Sequence, residues 1–124
     1  MPYTPRREHL EPLDLARSLV AALEDKKAED IILLDLRGQS IFTDYFVICT
    51  GTSERQLGAL ADAVAETARK SHRLKPPRTE GHAAGGWLLM DFGSVIVHAF
   101  SAAQRRRYKL EELWQEGKVV VRIQ

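Results

Sequence analysis

The sequence predicts one α/β (α+β) domain, with helices packed on a mixed β-sheet, and three observations carry that prediction. The chain has 124 residues, enough for one compact core and too few for two ordinary ones. Short apolar runs of strand length alternate with stretches whose apolar residues recur at helical spacing. Hydrophobic residues make up 44% and charged residues 28%, the balance of a globular chain and not of a disordered or fibrous one. Residues 1–10 read as a polar N-terminal arm and residues 11–124 as the domain.

The elements follow in order. Asp14 is placed to cap a helix whose stripe is Leu15, Leu19 and Leu23, flanked by Ala16 and Val20, and which ends near Lys26. Asp30 to Leu36 is an apolar run bounded by charge and predicts a strand, with a turn at Arg37-Gly38-Gln39-Ser40. Tyr45 to Thr50 predicts a second strand. The connection is too short for a crossover, so the two must pair antiparallel. Ser53 and Gln56 stand in capping-box spacing before a helix with Leu57, Leu60, Ala61, Val64, Ala65 and Ala68 on one face. Pro76-Pro77 and Gly81 to Gly86 read as loop. Trp87 to Phe92 and Val95 to Phe100 form a hairpin turning at Gly93-Ser94. A second capping pattern, Ser101 to Gln104, opens a third helix carrying Leu110, Leu113 and Trp114, with Arg107 and Glu111 one turn apart. Lys118 to Ile123 supplies a short last strand.

Composition excludes several classes of function. Eighteen basic residues against 17 acidic give a net charge of +1, which supplies no bulk field for nucleic acid. No apolar run approaches the roughly 20 residues that cross a bilayer, and Met1 to His9 lacks a signal core, so a cytoplasmic protein is expected. Cys49 is the only cysteine and sits in an apolar run, which fits a buried small hydrophobe. His9, His72, His82 and His98 offer no i, i+4 pair and no cysteine partner, so neither metal nor cofactor is expected, and His98 reads as a structural histidine on a strand face.

Two rival functions have a residue basis. Gly51-Thr52-Ser53 at a strand-to-helix junction would suit a phosphate in a metal-dependent nucleotidyltransferase-like enzyme. Asp62, however, is followed two residues on by Val64, so the carboxylate pair such chemistry needs is missing and Ser53 reads as a cap. An RNA-binding module would use Arg69, Lys70, Arg73, Lys75 and Arg78, or Arg105, Arg106, Arg107 and Lys109. The first group reads as a solvated helix end.

In the hairpin, alternation separates Trp87, Leu89 and Asp91 from Leu88, Met90 and Phe92. If the second set packs under the helices, the first is an apolar patch beside a carboxylate, the composition of an interface anchor. Asp35 and Asp44 sit in or beside strands, where a carboxylate is uncommon unless hydrogen-bonded or paired, and Asp44 reads as strand-end structure. Trp114 continues the Leu110 stripe into the core, whereas Tyr108 lies off it, at the core edge or in a second contact.

Four segments resemble the Iojap family of ribosomal silencing factors. They are Asp35 with Thr43-Asp44-Tyr45-Phe46-Val47-Ile48 and Gly51-Thr52-Ser53; Glu80-Gly81; Trp87 to Gly93 with Val95 to His98; and Arg105 with Tyr108 to Trp114. Ser94 and Arg107 depart from the pattern. The resemblance implies a nucleotidyltransferase-like core without its chemistry. It also implies a non-enzymatic protein that binds the large ribosomal subunit through ribosomal protein L-fourteen and excludes the small subunit, repressing translation. It points to Trp87, Leu89, Asp91, Gly93, Arg105 and Tyr108 as partner-binding residues and to a homodimer, while the cluster Arg105, Arg106, Arg107 and Lys109 is placed by its charge to touch ribosomal RNA beside the protein partner.

Overall fold

Helix α1 (Pro12–Asp25) opens the fold in the computed structural model, which describes residues 11–113 and 118–124. Its start differs from the one expected at Asp14. Pro12 takes the first helical position, where its missing N–H costs nothing, Glu11 is the N-cap residue, and Asp14 falls inside the first turn. The stripe of Leu15, Ala16, Leu19, Val20 and Leu23 is buried as the spacing predicts.

Strands β1 (Glu29–Asp35) and β2 (Tyr45–Gly51) pair antiparallel, with Ile32 opposite Ile48 and Leu34 opposite Phe46. Helix α2 (Glu54–His72) follows, then β3 (Arg78–His82), a single 3-10 turn at Ala83–Gly85, and the hairpin β4 (Trp87–Asp91) and β5 (Val95–Ser101). Short helices α3 (Ala102–Tyr108) and α4 (Leu110–Leu113) precede β6 (Lys118–Ile123). The sheet order is β3-β4-β5-β2-β1-β6. Among the described strands only β2 and β5 run parallel, joined by the long excursion through α2, β3 and β4 that a parallel pair requires.

Helices α1 and α2 cover one face of this sheet. Their buried residues pack on Ile31, Leu33, Tyr45, Val47, Cys49, Leu88, Met90, Val97 and Ala99. Truncating any fully buried leucine here, such as Leu19 or Leu60, costs about 2 to 5 kcal/mol through lost transfer energy and the cavity left behind. The opposite face holds a smaller cluster, Ile32, Leu34, Leu36, Ile48 and Phe100, onto which Phe46, Trp87 and Leu110 pack.

Three further features depart from expectation. The loop proposed around Gly81 contains β3, an edge strand with every residue exposed, paired to β4 by its backbone and by an ion pair from Arg78 to Asp91. Its Gly81 has φ +88, and a Cβ there would run into the Trp87 carbonyl, so glycine is required for β3 to lie against β4. The third helix is two helices, broken where Lys109 adopts a left-handed conformation at φ 49. The capping boxes are only half formed. Ser53 Oγ and Ser101 Oγ each accept from the amide three residues on. Gln56 does not reach back to Ser53: its Oε1 accepts from the Thr52 amide, and its Nε2 donates to the carbonyls of Lys26 and Lys27, clipping α2 to the end of α1. Gln104 likewise donates to the Gly85 carbonyl. The readings of Trp114, His9, the N-terminal arm and the Arg107–Glu111 pair fall outside the described residues and side chains.

Candidate functional site

The sheet face turned away from α1 and α2 is built from three rows of cross-strand neighbours. Asp91, Ile96, Phe46 and Leu34 form one; Leu89, His98, Ile48 and Ile32 the next; Trp87, Phe100 and Thr50 the third. Strand alternation puts them there, and the same alternation sends Leu88 and Met90 into the main core. The rows are buried at the β1 side, beneath Leu110, and half-exposed along β4, where Trp87, Leu89 and Asp91 lie. Leu88 and Met90 are thus core and the alternate residues are not, which is the division the hairpin pattern predicts; Phe92 packs partly buried on the core side.

Trp87 is half-buried and sits in an aromatic run. Its ring lies 5.0 Å from Phe100 and 4.5 Å from Tyr108, centroid to centroid. Its indole N–H donates to His98 Nδ1 at 3.2 Å. His98, only 4% exposed, is the structural histidine expected, and burial lowers its pKa from the ordinary 6.5 to about 4, so the ring is neutral. Because Nδ1 accepts, the proton of the neutral ring is on Nε2, which finds no hydrogen-bond partner among the described residues. Trp87 and Leu89, with Glu80, Gly81, His82 and Gly85, line an apolar cavity of about 300 Å³ that opens at the β3 edge.

Asp91 closes the hairpin. Its Oδ1 accepts from the Gly93 amide at 2.7 Å, and Oδ2 lies 3.6 Å from the Arg78 guanidinium. Gly93 has φ +89, the positive value that the first residue of a tight primed hairpin turn takes most readily as glycine. Tyr108, 40% exposed, extends the aromatic run beyond Trp87, and the Arg107 guanidinium stands 5.8 Å from its ring. Arg105 donates to Thr50 Oγ1 at 2.9 Å and so ties α3 to the sheet, while Arg106, Arg107 and Lys109 are exposed. The structure therefore brings Trp87, Leu89, Asp91, Arg105 and Tyr108 to one face, with Arg105 directed inward to Thr50 and Gly93 in the turn that follows β4.

Several residues of this face were not singled out from sequence. Ile96 lies beside Asp91 and Phe46 beside Ile96, and the alternation of β2 and β5 was the signal that could have placed them. Away from the strands, Ile41 and Phe42, 93% and 82% exposed, crown the β1–β2 loop, held by Ser40 Oγ accepting from the amides of Phe42 and Thr43. No periodic signal marks a loop residue as exposed.

The rival sites look different in three dimensions. A cavity of about 490 Å³ lies where β2 and β5 end, lined by Gly51, Thr52, Ser53, Gly86, Ser101 and Gln104 among others. The hydroxyls of Ser53 and Ser101 are committed to their own helices, and Glu29 and Glu54 stand in the lining, where they oppose a phosphate. Among the described residues no group of three or more His, Cys, Asp or Glu side chains converges as a metal site. Nor is any described helix long and apolar enough to cross a membrane. Cys49 is buried and its thiol is pushed up to about 12 by desolvation, so it is held as the thiol. Asp35 is held below the usual carboxylate range by the hydrogen bonds from Arg37, a two-pronged contact at 3.0 and 2.8 Å. The basic residues at the end of α2 are exposed, with Lys70 near Glu66, and so is Arg78 on β3, which lies near Asp91.

Comparison with known proteins places this architecture. The model of a family described as "Ribosomal silencing factor during starvation" matches residues 9–124. A protein of Halalkalibacterium halodurans named ribosomal silencing factor is 37% identical over 86% of this chain and 91% of its own length. One of the same name from Bacillus subtilis is 42% identical over 78% of this chain and 81% of its own. A crystal structure of a Chromobacterium violaceum protein superposes with a TM-score of 0.81 at 33% identity, covering 90% of this chain and 94% of the other.

Proposed function

Because the chain belongs to the ribosomal silencing factor family, we propose that it docks on the large ribosomal subunit through ribosomal protein L-fourteen and keeps the small subunit from joining. It acts in the cytoplasm as a non-enzymatic repressor of translation, by occupying a surface and not by turning over a substrate.

One observation supports this reading above the others. The β4 strip of Trp87, Leu89 and Asp91 lies on the sheet face that α1 and α2 leave uncovered, and places an indole and an apolar cavity beside a carboxylate. That combination suits a ribosomal protein, whose surface is basic with apolar patches: the cavity takes an apolar side chain, and Asp91 orients a cation against it. A partner Arg or Lys at Asp91 competes with Arg78 and not with the Gly93 amide, because the amide holds the shorter contact, 2.7 Å against 3.6 Å. Tyr108 widens the strip, Gly93 bounds it, and Arg105 secures the helix that brings Tyr108 there. Exposed Arg106, Arg107 and Lys109 follow on α3 and the turn after it, in reach of ribosomal RNA beside the protein partner. Self-association as a homodimer completes the proposal.

The test is cosedimentation of the Trp87→Ala protein with purified large subunits. Removing an interfacial anchor costs about 2 to 4 kcal/mol, so affinity falls by roughly thirtyfold or more while the fold, read by circular dichroism, is kept. Undiminished binding by a folded Trp87→Ala protein would overturn the reading.

A further inference from the structure

We propose that His98 is a positioning residue for docking: its neutral imidazole, protonated on Nε2, fixes the orientation of the Trp87 indole through the acceptor at Nδ1. The inference rests on the reading of Trp87 as the docking anchor.

Aromatic packing alone does not select one orientation of that indole. Phe100 at 5.0 Å and Tyr108 at 4.5 Å offer apolar neighbours to whichever edge the ring presents. The N–H does discriminate, since an indole donor turned into an apolar setting without an acceptor costs about 1 to 3 kcal/mol. Leu89 is the residue directly opposite His98 in the ladder, so Trp87 is its diagonal neighbour, within reach of a long side chain. Only an imidazole whose proton is on the far nitrogen can accept at Nδ1.

The acceptor is itself buried and packed between rings. The His98 ring meets Phe46 in an edge arrangement at 4.6 Å and lies parallel to Phe100, 7° between planes, at 6.0 Å. Burial in this apolar stack keeps the ring neutral, the state in which it can accept. With the N–H aimed at β5, the uncovered part of the indole is left to line the cavity beside Leu89. The nitrogen of His98 thus sets which edge of the tryptophan a partner meets, although His98 itself is buried.

Substitutions can separate this role from packing. His98→Phe retains an aromatic ring in the stack and removes the acceptor; His98→Asn places an amide oxygen close to where Nδ1 stands. With the full chain and purified large subunits, His98→Phe is expected to weaken binding roughly tenfold and to shift the Trp87 indole N–H resonance, and His98→Asn to restore binding to within about threefold. Nitrogen NMR of the unaltered protein gives a readout that does not depend on either variant folding, and should show the Nε2-protonated tautomer. A proton on Nδ1 overturns the inference. So does wild-type binding by His98→Phe when Trp87→Ala no longer binds. Wild-type binding by Trp87→Ala instead removes the docking reading itself, so the two failures are told apart.

Discussion

Acidification should destabilise this protein in a window set by His98. The ring has an ordinary pKa of 6.5 and is held at about 4 in the folded chain because burial penalises its charged form. Between those values the unfolded chain takes up a proton that the folded one refuses. The sign follows: stability is greatest above pH 6.5 and declines as pH falls toward 4, below which both states carry the proton and the decline ends. Each pH unit of the gap is worth about 1.4 kcal/mol, so the whole gap amounts to about 3 kcal/mol, of which about 2 to 3 are lost between about pH 7 and about pH 4.5. For a domain this size that is a large part of a total stability of roughly 5 to 15 kcal/mol. Urea unfolding followed by far-ultraviolet circular dichroism at a series of pH values measures the slope, and His98→Asn serves as the comparison because it cannot titrate. The variant should lose most of the slope in this window. Asp35 acts elsewhere: its lowered value gives stability present above the ordinary carboxylate pKa of 3.8 and lost only below it. An equal slope in His98→Asn, or a folded-state titration of His98 near 6.5, would refute the reasoning.

Two further outcomes test the surrounding packing. Cys49 should resist a thiol reagent in the native protein at neutral pH and react at once in denaturant, since the thiol is buried and pushed up to about 12; rapid labelling of the native chain would show that its strand opens. Gln56→Ala should lower the unfolding free energy by about 1 to 2 kcal/mol, because it cuts the Thr52 amide and the carbonyls of Lys26 and Lys27 from their common partner; denaturant midpoints give the value, and an unchanged midpoint would mean that water replaces the clip at no cost.

The parts of the fold that periodicity dictates were legible in the sequence. Buried stripes on α1 and α2 and alternation in β4 placed the main core, because each of these elements buries one face and leaves the other wet. Strand β3 was not legible, since Arg-Thr-Glu-Gly-His has no apolar face to bury and is held as an edge by backbone pairing with β4. The break at Lys109 is hidden because Leu110 keeps helical spacing across it, and α1 starts before Asp14 because Asp14 is a good cap by type while Pro12 fits the first position better. At the candidate site, alternation placed Trp87, Leu89 and Asp91 together. It could not show that His98 and Trp87, eleven residues apart, share a hydrogen bond, because a diagonal contact depends on rotamers and not on pattern. It also could not show that Arg105 turns inward to Thr50, 55 residues away.

Docking on the intersubunit surface of the large subunit, as proposed for this chain, has a directly measurable consequence. Light scattering of purified subunits mixed in the presence of increasing protein reports that event directly, with the Trp87→Ala protein alongside. Joining should be suppressed as the protein saturates the large subunit, and should proceed normally with the variant. Unhindered joining at a saturating dose of the unaltered protein would contradict the account.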